Sequence, residues 1–406
     1  MINYTQYKPG AIPYNGNLAA VQIDRVQSIG APESRGSEKV NEMGRDGAVG
    51  YSKKTPSVPY SLSQLEYGNF KFWRTLANKS DATTTLALSD FTTPALDLYG
   101  VLTDDDGTFF ATKHYPEQKV TGFSINIGDP EADIERTFDL IGENAIIWPG
   151  LYLIHDIHTV VGDGSDEAVT LSKTPAVDAD KDISGDADEK KYFIRVLRVR
   201  AGVTSELVYT TDYQYDSVGA PTTLVITSVL DGDLIKPLYV STSAPANIFV
   251  NNDSDPVTIN AQCVDIELVS GGETILRLQT LGLEVSFERE DLGEIGNTKK
   301  VQRGVADKNV TITLDRNLED IAIEAAMRGV TTSYGKIDLT KFTDDLGIRL
   351  KVYSDNTKAT FKYGFKATGL ASTDLETPGA VREYTKSNVT LTGDVLVISS
   401  LEADLV

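Results

Sequence analysis

The chain has 406 residues, of which 40% are hydrophobic, and its 59 acidic and 38 basic residues give a formal net charge of −21. This length exceeds what one compact core usually holds, which predicts two or three domains. The acidic balance argues against tight nucleic-acid binding, because that binding depends on lysine and arginine. No apolar run approaches the roughly 20 residues of a membrane helix, and the N-terminus lacks a signal-peptide pattern, so we expect synthesis in a cytoplasm and no membrane partner.

The first 149 residues predict strands with one helix between them. Residues 20–29 are expected to form a strand, and residues 32–50 form a polar, glycine-rich stretch. A helix is expected at residues 62–78, where Ser61 and Gln64 match a capping box. Further strands are expected at residues 97–102, 108–115, 120–128 and 138–143.

The middle of the chain is the most acidic part, since residues 150–274 hold over half of the net negative charge. Residues 178–189 place side-chain oxygens at positions 1, 3, 5, 7, 9 and 12 of a calcium loop. Ile183 stands where that loop needs glycine, and the flanks do not read as helices. A calcium site and a plain acidic loop therefore both stay open. Strands are expected at residues 192–200, 206–215, 222–229 and 234–241.

The last third repeats the element types of the first. Apolar residues at 281, 283, 285 and 287 alternate with polar ones, which is typical of a half-buried strand over residues 281–290. A polar stretch follows at residues 291–307. Beyond it we expect a strand at 310–314, a helix at 317–328, and strands at 348–353, 361–369 and 389–394.

Short local echoes indicate that one unit occurs twice, at about residues 18–149 and 261–406. Asp97 and Asp338 open similar Asp- and Gly-containing runs at an offset of 241, and Gly142 matches Gly393 at an offset of 251. The ten-residue difference between these two offsets fits a longer loop near residues 370–380 of the second copy. Because two similar units in one chain can replace two identical subunits in a ring, a trimer would present six near-equivalent units.

The sequence therefore predicts a mainly β fold with two tandem-related β-sandwich or barrel-like units. Each unit has one flanking α-helix, and a central β-rich insert lies between the units. The domains are expected at residues 1–149 for the first unit, 150–260 for the acidic insert and 261–406 for the second unit.

Signatures of catalysis and metal binding are sparse. The three histidines are His114, His155 and His158, and the last two would face opposite sides of a strand, which makes a poor metal pair. Cys263 is the only cysteine, so it forms no disulfide within the chain. No nucleophile elbow or phosphate-binding glycine motif occurs. We predict no catalytic, cofactor-binding or metal-binding residues. The clusters at residues 104–106 and 344–345 are interpreted as turns, although counting carboxylates does not exclude a glycosidase.

The two polar stretches have two interpretations of equal weight. They are either ordinary solvated loops or extended arms that dock on a neighbouring subunit. In the second case the inter-ring or inter-subunit residues are Glu33, Arg35, Glu38, Lys39, Glu42, Arg45, Glu290, Asp291, Glu294, Lys299, Lys300 and Arg303.

On these elements the chain resembles a tail tube protein of a tailed bacteriophage or related virus. The resemblance covers both units, about two thirds of the chain, and consists of the order of elements with short local echoes. In the second unit it is carried by residues 292–297, 299–301, 309–314 and 318–327, and in the first by residues 45–47, 56–60 and 135–143.

The resemblance implies a structural virion protein of the tail, made in the host cytoplasm and without a cofactor. Family members with two units per chain form trimeric, pseudo-sixfold rings that stack helically into a tube, with arms contacting adjacent rings. The channel holds the tape measure protein, other tail proteins join the tube, and genomic DNA passes during ejection without specific binding. The insert is a departure from the family pattern.

Two other functions stay open at this point. One is a β-sandwich binding module, such as a carbohydrate-binding adhesin or a tail decoration protein. It would need exposed aromatic platforms, and Trp73 and Trp148 are the only tryptophans. The other is a polysaccharide-degrading enzyme of virion tails.

Overall fold

A computed structural model describes most of the chain and is mainly β, as predicted. In the described ranges, no helix has the length and apolar character needed to span a bilayer. Those ranges are residues 7–14, 20–32, 37–41, 48–53, 57–104, 106–128, 131–161, 166–176, 193–209, 211–215, 222–245, 258–269, 278–293, 300–317, 325, 346–376 and 386–405.

The first part of the chain contributes eleven of the described strands and a short α-helix, α1, at Phe70–Leu76. The strands are β1 (Tyr7–Pro13), β2 (Val21–Gln22), β3 (Val26–Gly30), β4 (Ser37–Asn41), β5 (Ala48–Lys53), β6 (Val58–Leu65), β7 (Thr85–Ala87), β8 (Ala95–Thr103), β9 (Phe109–Ile127), β10 (Glu135–Gly142) and β11 (Ile146–Pro149).

The remaining described strands fall into a middle and a last group. The middle group is β12 (Tyr152–His155), β13 (His158–Thr159), β14 (Glu167–Thr170), β15 (Phe193–Arg200), β16 (Val203–Glu206), β17 (Tyr213–Tyr215), β18 (Thr223–Ile226) and β19 (Leu234–Ser241). The last group is β20 (Val264–Leu268), β21 (Leu278–Gly293), β22 (Lys300–Asn317), β23 (Leu346–Tyr353), β24 (Phe361–Glu376), β25 (Lys386–Gly393) and β26 (Val395–Ser399).

The main sheet contains two series of strands with the same pairing order. In the first half of the chain the order is β3–β6–β10–β9–β8–β1. In the second half it is β21–β22–β25–β24–β23–β20. All of these pairs are antiparallel. The two series meet where β9 pairs with β21.

The hairpin that opens each series has the same register, residue by residue. Ser37 pairs with Lys53 in the first half, and Arg289 pairs with Val305 in the second, so both numbers rise by 252. The bulge between Val26 and Ser28 recurs between Leu278 and Thr280 at the same distance along the chain. The sequence carries this match as VQSIG at residues 26–30 and LQTLG at residues 278–282.

This register corrects the predicted offset of 241. Leu96 of β8 pairs with Gln118 of β9, and Leu346 of β23 pairs with Leu370 of β24. The offset is therefore 250 residues from β8 to β23 and 252 residues from β9 to β24. Asp338 lies outside the described residues. Runs of Asp and Gly recur in turns for conformational reasons alone, so they are a weak guide to register.

The predicted helix at residues 62–78 is also corrected. Residues Val58–Leu65 form strand β6 between β3 and β10, and Val58, Tyr60 and Leu62 are buried alternately. Helix α1 starts only after Gly68, whose φ of +80° suits glycine. Its N-cap is Asn69, whose side chain accepts a hydrogen bond from Lys71 N at 2.8 Å. Ser61 and Gln64 are therefore strand residues and not a capping box.

The predicted second helix, residues 317–328, lies largely outside the described residues. Asn317 is the last residue of β22, and Ala325 is helical and buried. The strands predicted at residues 192–200, 222–229 and 234–241 are confirmed as β15, β18 and β19. The strand predicted at 206–215 is wrong as a continuous element, because β16 ends at Glu206 and β17 begins at Tyr213.

One hydrophobic core unites the two series. Trp73 of α1 is fully buried and lies within 5.0 Å of the ring centres of Phe123 and Phe138 from the first half. Its ring centre is 5.6 Å from that of Phe365 from the second half. The middle strands form a five-stranded and a three-stranded sheet around a separate cluster that includes Phe193. The first and last parts therefore fold together, with the insert packed beside them.

Candidate functional site

The joint between β9 and β21 is the first notable feature, because it turns two series of strands into one sheet. Six consecutive pairs form it, from Leu281 with Ile127 to Ser286 with Gly122. A Cβ atom on Gly122 would lie 2.7 Å from the carbonyl oxygen of Val285, so the two backbones approach too closely for another residue to fit without a shift. The absence of a side chain at Gly122 therefore allows β9 and β21 to approach this closely at the joint.

The sheet that spans this joint has one face on the core and one polar face. Along β21, Leu281, Leu283 and Val285 are buried, whereas Glu284 and Ser286 are exposed. Residues paired across neighbouring strands share a face. One row across the joint thus contains a hydroxyl or carboxylate group on strand after strand, namely on Ser63, Thr137, Ser124, Glu284, Thr311 and Thr392.

Charge on this polar face is predominantly acidic. Among the described side chains, its carboxylates include Glu135, Asp139, Glu284, Glu288 and Asp315, and Lys119 lies on the same face beside Ile141. Carboxylates repel the phosphates of nucleic acid, and hydroxyl and amide side chains keep such a surface hydrated. The face is thus suited to lie next to a polyanion without binding it.

A buried ionic cluster links the two halves behind this sheet. Arg136 Nη1 lies 2.9 Å from Glu66 Oε2, and Arg136 Nε donates to Gln64 at 3.1 Å. The hydroxyl of Tyr363, on β24, donates to the same Glu66 oxygen. Burial and the charge of Glu66 raise the pKa of Tyr363 well above its usual value, which keeps it a donor. Removing either Arg136 or Glu66 would leave the other buried charge without its ionic partner.

A second buried cluster fixes the insert to the first half. Arg195 Nη2, on β15, contacts both carboxylate oxygens of Asp97 on β8, at 2.8 and 2.6 Å. Tyr14 Oη donates to Asp97 at 2.5 Å, the backbone N–H of Glu117 donates at 2.9 Å, and His114 Nε2 lies at 3.1 Å. Burial alone would raise the pKa of Asp97, but His114 and Arg195 hold it well below its usual value.

This arrangement restricts what Asp97 can do chemically. Both of its oxygens already face donors within the protein, and the side chains of Asp97 and His114 are fully buried. A general acid or base must reach a substrate atom within hydrogen-bonding distance. The cluster instead serves to hold two parts of the chain together.

Lys236 of β19 adds a further contact between the insert and the first half. Its Nζ donates to the carbonyl oxygens of Pro13 at 2.8 Å and Tyr14 at 3.4 Å. Burial lowers the pKa of Lys236 to about 7. Burial and the nearby Lys236 lower the pKa of His155 to about 3, so that imidazole is neutral at pH 7.

Apolar contacts complete this interface. One cluster joins Tyr99 and Val101 of β8 to Leu238 and Val240 of β19. Strand β8 is consequently buried on both faces, with Leu96 and Leu98 in the main core. The corresponding strand of the second half, β23, has Arg349 and Lys351 on its outward face, both within 4 Å of Glu267. The described residues of the insert therefore cover β8 of the first series and leave β23 of the second series uncovered.

None of these buried charges was predicted from the sequence. A signal was present, because each charge interrupts an apolar run: Asp97 between Leu96 and Leu98, Arg195 in FIRVLRV, and Lys236 in LIKPLYV. A charge in such a run is expected to have a buried partner.

The predicted arm residues lie on the distal parts of the two hairpins or outside the described residues. Among those described, Glu38 and Lys39 are in β4, Glu290 and Asp291 in β21, and Lys300 and Arg303 in β22. Those outside the described residues are Glu33, Arg35, Glu42, Arg45, Glu294 and Lys299. Docking of these arms on a neighbouring subunit stays a prediction.

Both candidate histidines and the single cysteine lie in the described part of the chain. His155 lies on β12 and His158 on β13, where His158 Nε2 is 3.4 Å from Glu167. Over the described part of the chain, no three His, Cys, Asp or Glu residues are placed to hold a metal ion. Residues 178–189 and 344–345 lie outside that part. Cys263 is buried, and burial raises its thiol pKa. Asp104 opens the predicted turn, accepting from Thr108 N at 2.7 Å.

Comparison with known proteins yields two distant structural likenesses. A chain of the cryo-EM structure of the anti-feeding prophage baseplate matches 35% of this chain and 91% of its own length, with 11% identity and a TM-score of 0.26. A chain of the extended sheath–tube complex of an extracellular contractile injection system matches 39% of this chain and 99% of its own length, with 13% identity and a TM-score of 0.28. No family model and no curated protein matches.

Proposed function

We propose that this chain is a non-enzymatic structural subunit of a phage-tail-like particle, and that three copies form a pseudo-sixfold ring of its tail tube. The observation that carries this proposal is the repeated strand order, with its repeated hairpin register, joined through β9 and β21. Two similar units in fixed relation within one chain supply one third of a six-unit ring.

The polar sheet face is proposed as the lining of the channel. Its carboxylates, including Glu135, Asp139 and Glu284, disfavour contact with phosphates. Genomic DNA would then slide past a hydrated surface during ejection without specific binding. The tape measure protein would occupy the same channel before ejection, and other tail proteins would cap or extend the tube.

The insert is proposed to lie on the outside of the tube. It packs on the outward residues of β8, Tyr99 and Val101, whereas the core-facing residues Leu96 and Leu98 point the other way. The core thus separates the insert from the polar sheet face. An external insert can form protrusions on the tube, or contacts between subunits, without narrowing the channel.

The two arms are proposed to join successive rings. In both halves the hairpin extends beyond the strands that form the main sheet, as β4 with β5 and as the distal parts of β21 with β22. Pairing of mixed charges such as Glu38, Lys39, Glu290 and Lys300 with adjacent rings would stack the rings into a tube.

The competing functions find less support in the described residues. Neither tryptophan offers the exposed ring that a carbohydrate-binding module would use, because Trp73 is fully buried and Trp148 is 8% exposed. An acid–base pair needs access to substrate, but Asp97 and His114 are enclosed.

Negative-stain electron microscopy of the purified full-length chain tests the proposal. Rings or hollow rods with an apparent sixfold outline are expected as concentration rises. A chain that stays a monodisperse monomer at high concentration, and also in the presence of tail-assembly partners, would contradict it.

A further inference from the structure

The insert docks on the first half through a face that is separate from its own core. Along β12, Ile154 belongs to the core of the insert, whereas Leu153 packs in the cluster shared with the first half. Strand β19 alternates in the same way, with Tyr239 in the core of the insert and Leu238 in the shared cluster. Because the insert has a core of its own, it can separate from the first half without unfolding.

His155 lies on the docking face of the insert. Successive residues of a strand point to opposite faces, so His155 shares the face of Leu153. Its side chain is half-buried, and its Nδ1 is enclosed without a hydrogen-bond partner among the described residues. A proton on that nitrogen therefore has no acceptor in the docked arrangement.

The charged groups that act on His155 come from both sides of the interface. Within the insert they are Lys236 of β19 and Arg195 of β15, and both repel a protonated imidazole. On the first half, Asp97 of β8 attracts it. The sign of the balance therefore depends on whether Asp97 is available to a further cation.

The carboxylate of Asp97 is already engaged. Four protein atoms lie against it, namely Arg195 Nη2, Tyr14 Oη, His114 Nε2 and the backbone nitrogen of Glu117. The carboxylate of Glu117 is 72% exposed and lies 3.9 Å from Arg195 Nη1, so water screens it. A proton on His155 would thus add a cation to a buried cluster whose carboxylate has its partners already.

We infer that the interface between the insert and the first half is acid-sensitive and opens when His155 takes up a proton. The inference does not rest on the ring assembly proposed above, because every contact in it lies within one chain. Opening separates Leu153 and Leu238 of the insert from Tyr99 and Val101 of β8. Acid therefore uncovers an apolar surface on the first half while both cores stay folded.

The direction of the effect follows from the docked environment of the imidazole. Burial, together with Lys236, lowers the pKa of His155 from 6.5 to about 3 in the docked chain. The open form consequently binds a proton more readily below pH 6.5, and acid favours opening.

The two other shifted groups of the interface contribute little between about pH 6.5 and 4.5. Lys236, whose pKa is about 7 when docked, is protonated in both forms below that value. The pKa of Asp97 lies well below 3.8 when docked and returns toward 3.8 when open, so Asp97 stays ionised in both forms. Opening in this window is therefore assigned to His155.

Thiol labelling of the full-length chain tests the inference. In a Cys263→Ala background, Val101→Cys places a thiol on the face of β8 that the insert covers, and Leu98→Cys places one on the core-facing side of the same strand. Each labelling rate is divided by that of a free cysteine peptide at the same pH. From pH 7 to 4.5 the Val101→Cys rate is expected to rise by at most roughly 75-fold, and the Leu98→Cys rate to stay within about twofold.

Two histidine variants identify the titrating group. His155→Gln is expected to reduce the rise at Val101→Cys to less than about threefold. The matched control is His158→Gln, on the neighbouring strand β13 beside Glu167, which is expected to keep the full rise. Leu153→Cys reports on the same cluster from the insert side, and takes the place of Val101→Cys if that variant does not fold.

Three outcomes would overturn the inference. They are a labelling rate at Val101→Cys that does not depend on pH, an equal rise in the His155→Gln variant, and a parallel rise at Leu98→Cys, which would show general loosening of the first half. The presence or absence of rings in electron microscopy affects none of these measurements. A failure of this inference is thus distinguishable from a failure of the proposed function.

Discussion

Arg195 and Asp97 lie 98 residues apart in the sequence, yet the guanidinium of one contacts both carboxylate oxygens of the other at 2.8 and 2.6 Å. The pair joins the central insert to strand β8 in a place where both side chains are at most 8% exposed. Its attraction offsets the cost of removing two charges from water only while both partners are present.

Replacing Arg195 alone is therefore expected to be far worse than replacing the pair. Arg195→Met leaves Asp97 buried with weaker partners, and should lower the free energy of unfolding by about 3–5 kcal/mol. The double variant Arg195→Met with Asp97→Asn should lose clearly less. Denaturant unfolding of the wild type, both single variants and the double variant measures the coupling. Additive losses would show that the two residues act independently.

Stability should also depend on pH through Lys236. Its pKa falls from the ordinary 10.5 to about 7 on burial, so between these values the unfolded chain binds more protons than the folded one. The contribution of Lys236 to stability should consequently rise with pH across this window, by at most about 1.4 kcal/mol per pH unit.

Lys236→Met isolates this effect. The difference in unfolding free energy between wild type and variant, measured at several values from pH 7 to 10, should shift in favour of the wild type as pH rises. A difference that stays constant across the window would contradict a lowered pKa for Lys236.

The joint between the two series can be probed at a single glycine. Gly122→Ala places a Cβ against the backbone oxygen of Val285, so we expect hydrogen exchange to speed up at the amides of β21 and the unfolding midpoint to drop. The matched control is Gly128→Ala, one residue beyond the end of β9, where nothing lies within 4 Å of the added atom. Equal behaviour of the two variants would rule out the close approach.

The corrected start of the helix makes a separate prediction. Asn69→Ala removes the side chain that accepts from Lys71 N, and should cost about 1 kcal/mol of unfolding free energy. Ser61→Ala, at the cap expected from the sequence, should cost less than 0.5 kcal/mol, roughly the range for a substitution away from such contacts. A larger loss at Ser61 than at Asn69 would favour a longer helix.

The proposed channel lining can be tested by charge reversal. Asp139→Lys with Glu284→Lys places cations on the polar sheet face, so assembled tubes should retain DNA at low salt and release it as salt increases. Glu206→Lys with Asp231→Lys makes the same change in net charge on the insert. Equal DNA retention by both variants would argue that the polar sheet face does not line the channel.

The strands predicted most accurately from the sequence are those with one solvent-exposed face. Strand β21 shows a clear two-residue alternation because Glu284, Ser286 and Glu288 remain exposed beside a buried row. Strand β6 was misjudged, because Ser61 and Gln64 imitate a helix start while Gln64 is in fact fully buried between two other strands.

Long-range relationships were harder to predict for a physical reason. The repeated order of elements was visible, but its register depends on which residues pair, and Asp–Gly turns recur irrespective of register. The partners of Asp97 and Arg136 could not be predicted, because 98 and 70 residues separate them from Arg195 and Glu66. A lone charge in an apolar run indicates that a partner exists, not where it lies in the sequence.

The insert packs on β8, whereas β23, the strand of the second half that corresponds to β8, has a charged outer face. In a trimeric ring the inner wall would contain six copies of the repeated unit, but the outer surface would have only three inserts. Two units in one chain would thus allow a large insert at every second unit around the ring. In such a ring the protruding mass would be half that of a ring of six identical chains, and the uncovered positions between protrusions would stay accessible to whatever surrounds the tube.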